Sequence, residues 1–179
     1  MKNNTRFALV AILLSISLLT GCTQSNATKP VVPDVNLISI NYIAAEQLLA
    51  SSGNLLSKSQ PVLITSFVNI DNLTKSSTFG RITSEQVGSK LSQSGYPVIE
   101  MKLRNSVFIK EQSGEFILSR QLKSLSTLHD AQAVLVGTYA VASRSIYVTA
   151  KLIQTTNGLV ISSYDYVLPL GSDTKALLK

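Results

Sequence analysis

The one cysteine in this chain, Cys22, stands where a thiol becomes acylated rather than where it would pair or attack. It closes Leu19-Thr20-Gly21-Cys22, in which small Gly21 precedes the cysteine as a lipoprotein signal peptidase requires. Upstream, Lys2 and Arg6 form a basic n-region and Phe7 to Leu19 an apolar h-region. Those thirteen residues are too few to span a bilayer comfortably, which takes about 20. The expected chemistry is a thioether from the Cys22 sulfur to a diacylglycerol and, once residues 1–21 are removed, an acyl chain such as palmitate on the new amine. One myristoyl chain gives only marginal membrane binding, so three chains make the anchor effectively permanent. Thr23 follows the cysteine. Some bacteria read an Asp there as an inner-membrane retention signal, and its absence favours export to the outer membrane, with the domain facing the periplasm.

The remaining residues offer little further chemistry. His129 is the only histidine, so a Ser-His-Asp triad would have to be built around it, and no Gly-x-Ser-x-Gly elbow accompanies any serine. His129 ends a leucine-bearing stretch beside Asp130, where a polar or cationic helix cap is the ordinary account. One histidine, one acylated cysteine and ten scattered carboxylates give no metal-ligand spacing, so neither a metal nor a catalytic residue is expected. The phosphate-cradling Gly-x-x-x-x-Gly-Lys and Gly-x-Gly-x-x-Gly are missing, and no cofactor is expected. Gly80-Arg81, at the start of an expected helix, is a weak anion-site signal, against which stands a capped helix start with Arg81 in a surface ion pair. Tyr139, Tyr147, Tyr164 and Tyr166 could form an exposed aromatic strip suited to docking, or, as we prefer, cross-strand pairs under a helix.

Removing residues 1–21 lowers the formal charge from +6 to +4. The rest of that charge is interspersed, with Lys102, Arg104, Lys110, Arg120 and Lys123 broken up by Glu100, Glu111 and Glu115, and reads as a solvated surface. With no Trp and no basic aromatic motif, nucleic acid is not an expected partner. No disulfide can form within the chain, so stability must come from a packed core.

These residues must be carried by some set of elements. Residues 22–36, polar and then proline-bearing, read as a flexible tether, and residues 37–179 as a single domain. Leu37, Ile40, Ala44 and Leu48 recur at helical spacing and Gly53-Asn54 supplies a stop, giving a helix over 37–52. Pro61 opens an apolar run from Val62 to Val68, expected to be one buried strand. Phe79, Ile82, Val87 and Leu91 mark a second helix closing at Gly95, in which Gly88 costs about 1 kcal/mol against Ala and implies a close helix-to-sheet contact. Pro97 to Leu103 alternates as a half-buried strand. Ser106 to Lys110 and Glu115 to Leu118 flank Ser113-Gly114 as a small hairpin, and Ser119 could cap a third helix carrying Leu122, Leu125 and Leu128. Ala133 to Tyr139 is a second buried strand. Ile146, Val148, Ala150 and Leu152 alternate with polar residues, Asn157-Gly158 signals a type I′ turn, and Leu159 to Val167 returns. The fold class is α/β: one sandwich domain with a mixed sheet, parallel in its first half and a meander in its second, with about three helices.

Two groups of segments resemble the FlgO family of flagellar outer-membrane lipoproteins. The first is Val62-Leu63-Ile64-Thr65-Ser66-Phe67-Val68-Asn69-Ile70-Asp71-Asn72-Leu73, with Phe79-Gly80-Arg81, Ser84-Glu85-Gln86 and Gly95-Tyr96-Pro97-Val98-Ile99-Glu100. The second is Gly114-Glu115-Phe116-Ile117-Leu118-Ser119-Arg120 and Ala131 to Tyr139. The resemblance implies a non-enzymatic protein that supports flagellar assembly and motility by docking to basal-body or other envelope proteins, with homo-oligomers an open option. The strand pattern is also similar to TolB N-terminal-like domains, to curli secretion lipoproteins and to lipoprotein activators of penicillin-binding proteins. An envelope lipoprotein that regulates a peptidoglycan synthase or a secretion system is therefore the alternative. The segment from Leu37 to Asn54 carries no family signature.

Overall fold

Asn36 begins the first helix by accepting a hydrogen bond from the Ser39 amide at 3.1 Å, and the chain stays helical as α1 (Leu37–Ser52). The predicted limits hold. Gly53 ends it with φ 54°, a left-handed angle that favours glycine, and a single 3-10 turn follows. Asn41, Ala44, Ala45, Leu48 and Ser52 form its buried stripe, at the spacing of one helical face. The computed structural model describes residues 32–73, 75–101, 124 and 126–179, and these lie in one unit, Val32–Lys179.

Six strands build one mixed sheet: β1 (Val62–Ile64), β2 (Val68–Asn69), β3 (Val98–Glu100), β4 (Ala133–Val141), β5 (Ser145–Gln154) and β6 (Val160–Pro169). The order is β3-β1-β4-β5-β6, with β2 paired to β4 beyond the end of β1. β1 runs parallel to both its neighbours, while β4, β5 and β6 are an antiparallel meander. This is the expected mixed sheet, and β1 and β4 are central in it.

The second helix, α2 (Thr78–Gln93), connects the two parallel strands β1 and β3. Both helices pack on the same face, α1 across β5 and β6 and α2 across β1, β3 and β4. Between helices and sheet lies the main core, including Leu48, Val62, Ile64, Phe67, Val87, Leu135 and Leu152. Gly88 sits over Ile64, and a methyl group there would meet Ile64 Cγ1 at 3.2 Å. That is the close approach implied by a glycine in mid-helix. On the other face Leu63, Ala131, Val134, Val136 and Ile153 form a smaller cluster.

Three expectations need correction. The run from Val62 to Val68 is not one strand, because the backbone leaves the sheet after Ile64. Thr65 turns both its amide and its hydroxyl to the Leu135 carbonyl, at 3.1 and 2.9 Å. The Phe67 amide then bonds the Gly80 carbonyl at 3.2 Å, and its fully buried ring covers Gly137, where no side chain would fit. The β5–β6 connection is longer than a two-residue type I′ turn, since Gly158 takes φ 77° but Asn157 is not left-handed. Asn157 instead accepts the Leu159 amide on its Oδ1 at 2.9 Å, forming an Asx turn. The third strand is short and ends at Glu100. Residues 106–118, Ser119, Leu122 and Leu125 lie outside the described residues, while Leu128 is exposed. A further helix, α3 (Ser172–Ala176), was not foreseen.

Candidate docking surface

Cys22 and its flanking Leu19, Thr20 and Gly21 lie outside the described residues. Where the chain enters them is well defined. Asp34 accepts hydrogen bonds from the Ser172 hydroxyl at 2.7 Å and from the Asp173 and Thr174 amides at 3.0 and 3.3 Å. The Ser172 bond is the largest influence holding the Asp34 carboxyl below its ordinary value. Gly171 leaves room for this carboxylate, because a Cβ there would fall 2.2 Å from it. The end of the expected tether is thus fastened to α3. In turn Leu177, just past α3, accepts the Phe79 amide at the start of α2 at 2.7 Å.

That fastening marks one end of the sheet. Leu170 bonds the Arg144 carbonyl in the β4–β5 turn at 2.9 Å, and Ile70 bonds the Tyr139 carbonyl beside it at 2.9 Å. At this tether end the large exposed apolar residues are Ile38, Ile70, Val141, Tyr147 and Val167. Tyr147 and Val167 are direct cross-strand neighbours, 58% and 55% exposed. At the opposite end Leu55, Leu128, Leu159 and Val160 are exposed. Each end therefore carries several exposed apolar side chains, of which Tyr147 and Val167 are adjacent on one face.

The tyrosines do not form a strip. Tyr139 is buried, stacks edge-on against Phe79 with centroids 5.2 Å apart, and donates to the Ser77 hydroxyl at 2.8 Å. Tyr164 and Tyr166 stack along one strand, 5.9 Å apart, under α1. Of the four, only Tyr147 lies on the face away from α1 and α2. Sequence reasoning missed the buried polar chain that ties these elements together: Tyr166 donates to Asn41 Oδ1 at 2.7 Å, and Asn41 donates to Gln86 Oε1 at 2.7 Å. Burial raises the Tyr166 phenol well above its ordinary value, with Tyr164 adding to the effect. An asparagine in the apolar stripe of α1 was the available signal. Gln132 was missed as well; its side chain holds the loop before β1 through Ser57 N at 2.7 Å and the Ser57 and Gln60 carbonyls at 2.6 and 2.5 Å.

The weak anion site at Gly80-Arg81 is closed. Three amides of the first turn of α2 are taken, Phe79 by the Leu177 carbonyl, Gly80 by the Ser77 hydroxyl at 3.2 Å and Arg81 by the Ser77 carbonyl at 3.1 Å. Arg81 bonds the Thr78 hydroxyl at 3.0 Å, with no acidic partner among the described residues. His129 is exposed in the turn before β4, and Asp130 beside it takes φ 49° and accepts Gln60 Nε2 at 3.4 Å. Among the described residues no three His, Cys, Asp or Glu side chains could together hold a metal ion. Nor, among them, is any helix long and apolar enough to cross a membrane.

Comparison with known proteins gives one family and one fold. The family model described as FlgO protein matches residues 42–173. Comparison with curated proteins finds no significant match. Among solved structures, the LpoB C-terminal domain from Salmonella enterica is similar with TM-score 0.53 and 13% identity, covering 75% of this chain and 98% of that one. The LpoB C-terminal domain from Escherichia coli is similar with TM-score 0.52 and 9% identity, over the same shares of 75% and 98%. At such identities the likeness is one of fold.

Proposed function

The chain belongs to the FlgO family, and we propose that it is a non-enzymatic lipoprotein of the flagellar envelope apparatus. Acylated Cys22 holds it in the outer membrane, residues 22–31 act as the tether, and the domain works by docking to basal-body or other envelope proteins. The family match over residues 42–173 carries this reading. The absence of catalytic chemistry rests on the sequence, with its single histidine and no nucleophile elbow. The apolar end that bears Leu55, Leu128, Leu159 and Val160 is remote from Asp34, where the tether arrives, and is the end a partner would meet first. Apolar side chains of this kind supply the desolvated centre of an interface.

The test is co-purification with flagellar basal bodies from fractionated cells, together with palmitate-analogue labelling of the wild type and Cys22→Ser. Enrichment with basal bodies supports the flagellar reading; labelling of Cys22→Ser, or its retention in the outer-membrane fraction, removes the anchor. The second reading, a regulator of a peptidoglycan synthase or a secretion system, draws on the fold shared with LpoB C-terminal domains. It would show as altered cell-wall synthesis or secretion in a deletion strain with normal filaments.

A further inference from the structure

We propose that the tether end of the domain is itself a membrane contact, with the corner around Tyr147 and Val167 resting on the phospholipid headgroups of the leaflet that holds Cys22. The inference rests on the anchor reading and adds an orientation to it. Its first support is where the chain outside the described residues ends. The ten residues from Cys22 to Val31 can span at most about 36 Å even when fully extended. They deliver the anchor to Asp34, which is bonded to α3 beside Gly171, next to the Leu170–Arg144 hydrogen bond that closes this end of the sheet. This is therefore the end to which the anchor is joined, and the Leu159 end is the far one.

The second support is the chemistry of the corner. Tyr147 is more than half exposed, its cross-strand neighbour Val167 likewise, and Ile70 is exposed just past the end of β2, while Val141, paired with buried Ile146, is exposed on the opposite face. A tyrosine with small apolar neighbours suits the headgroup level, where its ring is buried and its hydroxyl stays wet. Lys75, Arg144, Lys175 and Lys179 are exposed at this end. Among the described residues its acids are Asp71, Asp173 and Asp34, of which Asp34 is occupied by α3, and Asp165 lies one row further from the end. Such a patch alone would bind lipid weakly. Tethering raises its effective concentration at the surface enough for weak contacts to set the orientation. The consequence is functional: the Leu159 end is turned away from the bilayer and toward a partner.

The chain has no tryptophan, so one introduced indole reports on one place. The acylated protein carrying Tyr147→Trp would be reconstituted at low density into phosphatidylethanolamine–phosphatidylglycerol vesicles with or without brominated acyl chains, with Leu159→Trp as the comparison. A blue-shifted emission at position 147 that bromine quenches, with neither effect at position 159, is the expected result. Equal quenching at both positions, or none at 147 while the protein floats with the vesicles, overturns the orientation. A blue shift at 147 that bromine leaves unquenched assigns the corner to a second copy of the chain, and also overturns it. Failure of the unsubstituted protein to float overturns the anchor reading itself.

Discussion

The Tyr166 hydroxyl and the Asn41 side chain meet at 2.7 Å between β6 and α1, and Asn41 passes the connection on to Gln86 of α2. Three elements are thereby held in one register by groups that are costly to leave unpaired. Tyr166→Phe keeps the ring and strands the buried Asn41 oxygen, so it should cost about 1 to 3 kcal/mol in denaturant unfolding.

The same phenol makes stability fall at alkaline pH. Its folded pKa is raised by burial, so the unfolded chain gives up this proton first. The contribution is fully present below about 10, the ordinary phenol value, and declines as pH climbs above it. Stability measured from pH 9 to 11 should fall less steeply in Tyr166→Phe than in the wild type; equal slopes would mean that another group governs the loss.

Ile64 and Gly88 are expected to be energetically coupled. Ile64→Ala removes a buried side chain of a central strand and should cost about 2 to 5 kcal/mol. Gly88→Ala gains helix propensity but places a methyl group 3.2 Å from Ile64 Cγ1. It should therefore be better tolerated in the Ile64→Ala background, where that Cγ1 is gone, with a coupling of about 0.5 kcal/mol or more in the double-mutant cycle.

Much of this architecture is legible in the sequence because local and tertiary demands agree there. Asn36 and Gly53 flank an apolar stripe, so α1 has readable limits. In β5 the alternation of Ile146, Val148, Ala150 and Leu152 already puts Tyr147 on the opposite face, which argues against a four-tyrosine strip. The break after Ile64 is not legible, because Thr65 and Phe67 are strand-forming types. Only the gap over Gly137, which takes the Phe67 ring, and the Gly80 carbonyl, which takes the Phe67 amide, draw the chain out of the ladder, and both are distant in sequence. Asp34 looked like part of a tether for a similar reason: its partners are at residues 172–174. Of the candidate site, Cys22 is a purely sequence-borne signal, whereas the two apolar ends appear only once the strands are placed.

The Asp34 fastening predicts a local change rather than a global one. Asp34→Ala removes the acceptor for the Asp173 and Thr174 amides and loosens the segment whose Leu177 carbonyl holds Phe79. Hydrogen exchange at Asp173, Thr174 and Phe79 should quicken, while the β4–β5 ladder stays protected. Because the Asp34 pKa is lowered on folding, its contribution is present above about 3.8, the ordinary carboxyl value. It should disappear as pH falls below that toward the lowered value. Unchanged exchange in Asp34→Ala would show that α3 is held by its apolar packing alone.

The functional prediction separates anchoring from folding. If the protein acts by docking at the flagellar base, a deletion strain should swim less and carry fewer or shorter filaments. Cys22→Ser should fail to restore swimming even when the domain accumulates in the periplasm, because a free domain lacks the effective concentration that a tether provides. Leu159→Ser, at the exposed end away from the tether, should accumulate and fractionate normally yet swim less, since a polar residue there weakens an apolar interface without opening the core. His129→Ala should swim normally, because that histidine is exposed in a turn and is assigned no chemistry. Swim-plate diameters and filament counts at matched protein levels decide among these. Full motility in the deletion strain removes the flagellar assignment. Loss of motility in a folded His129→Ala would locate function at the turn before β4 instead.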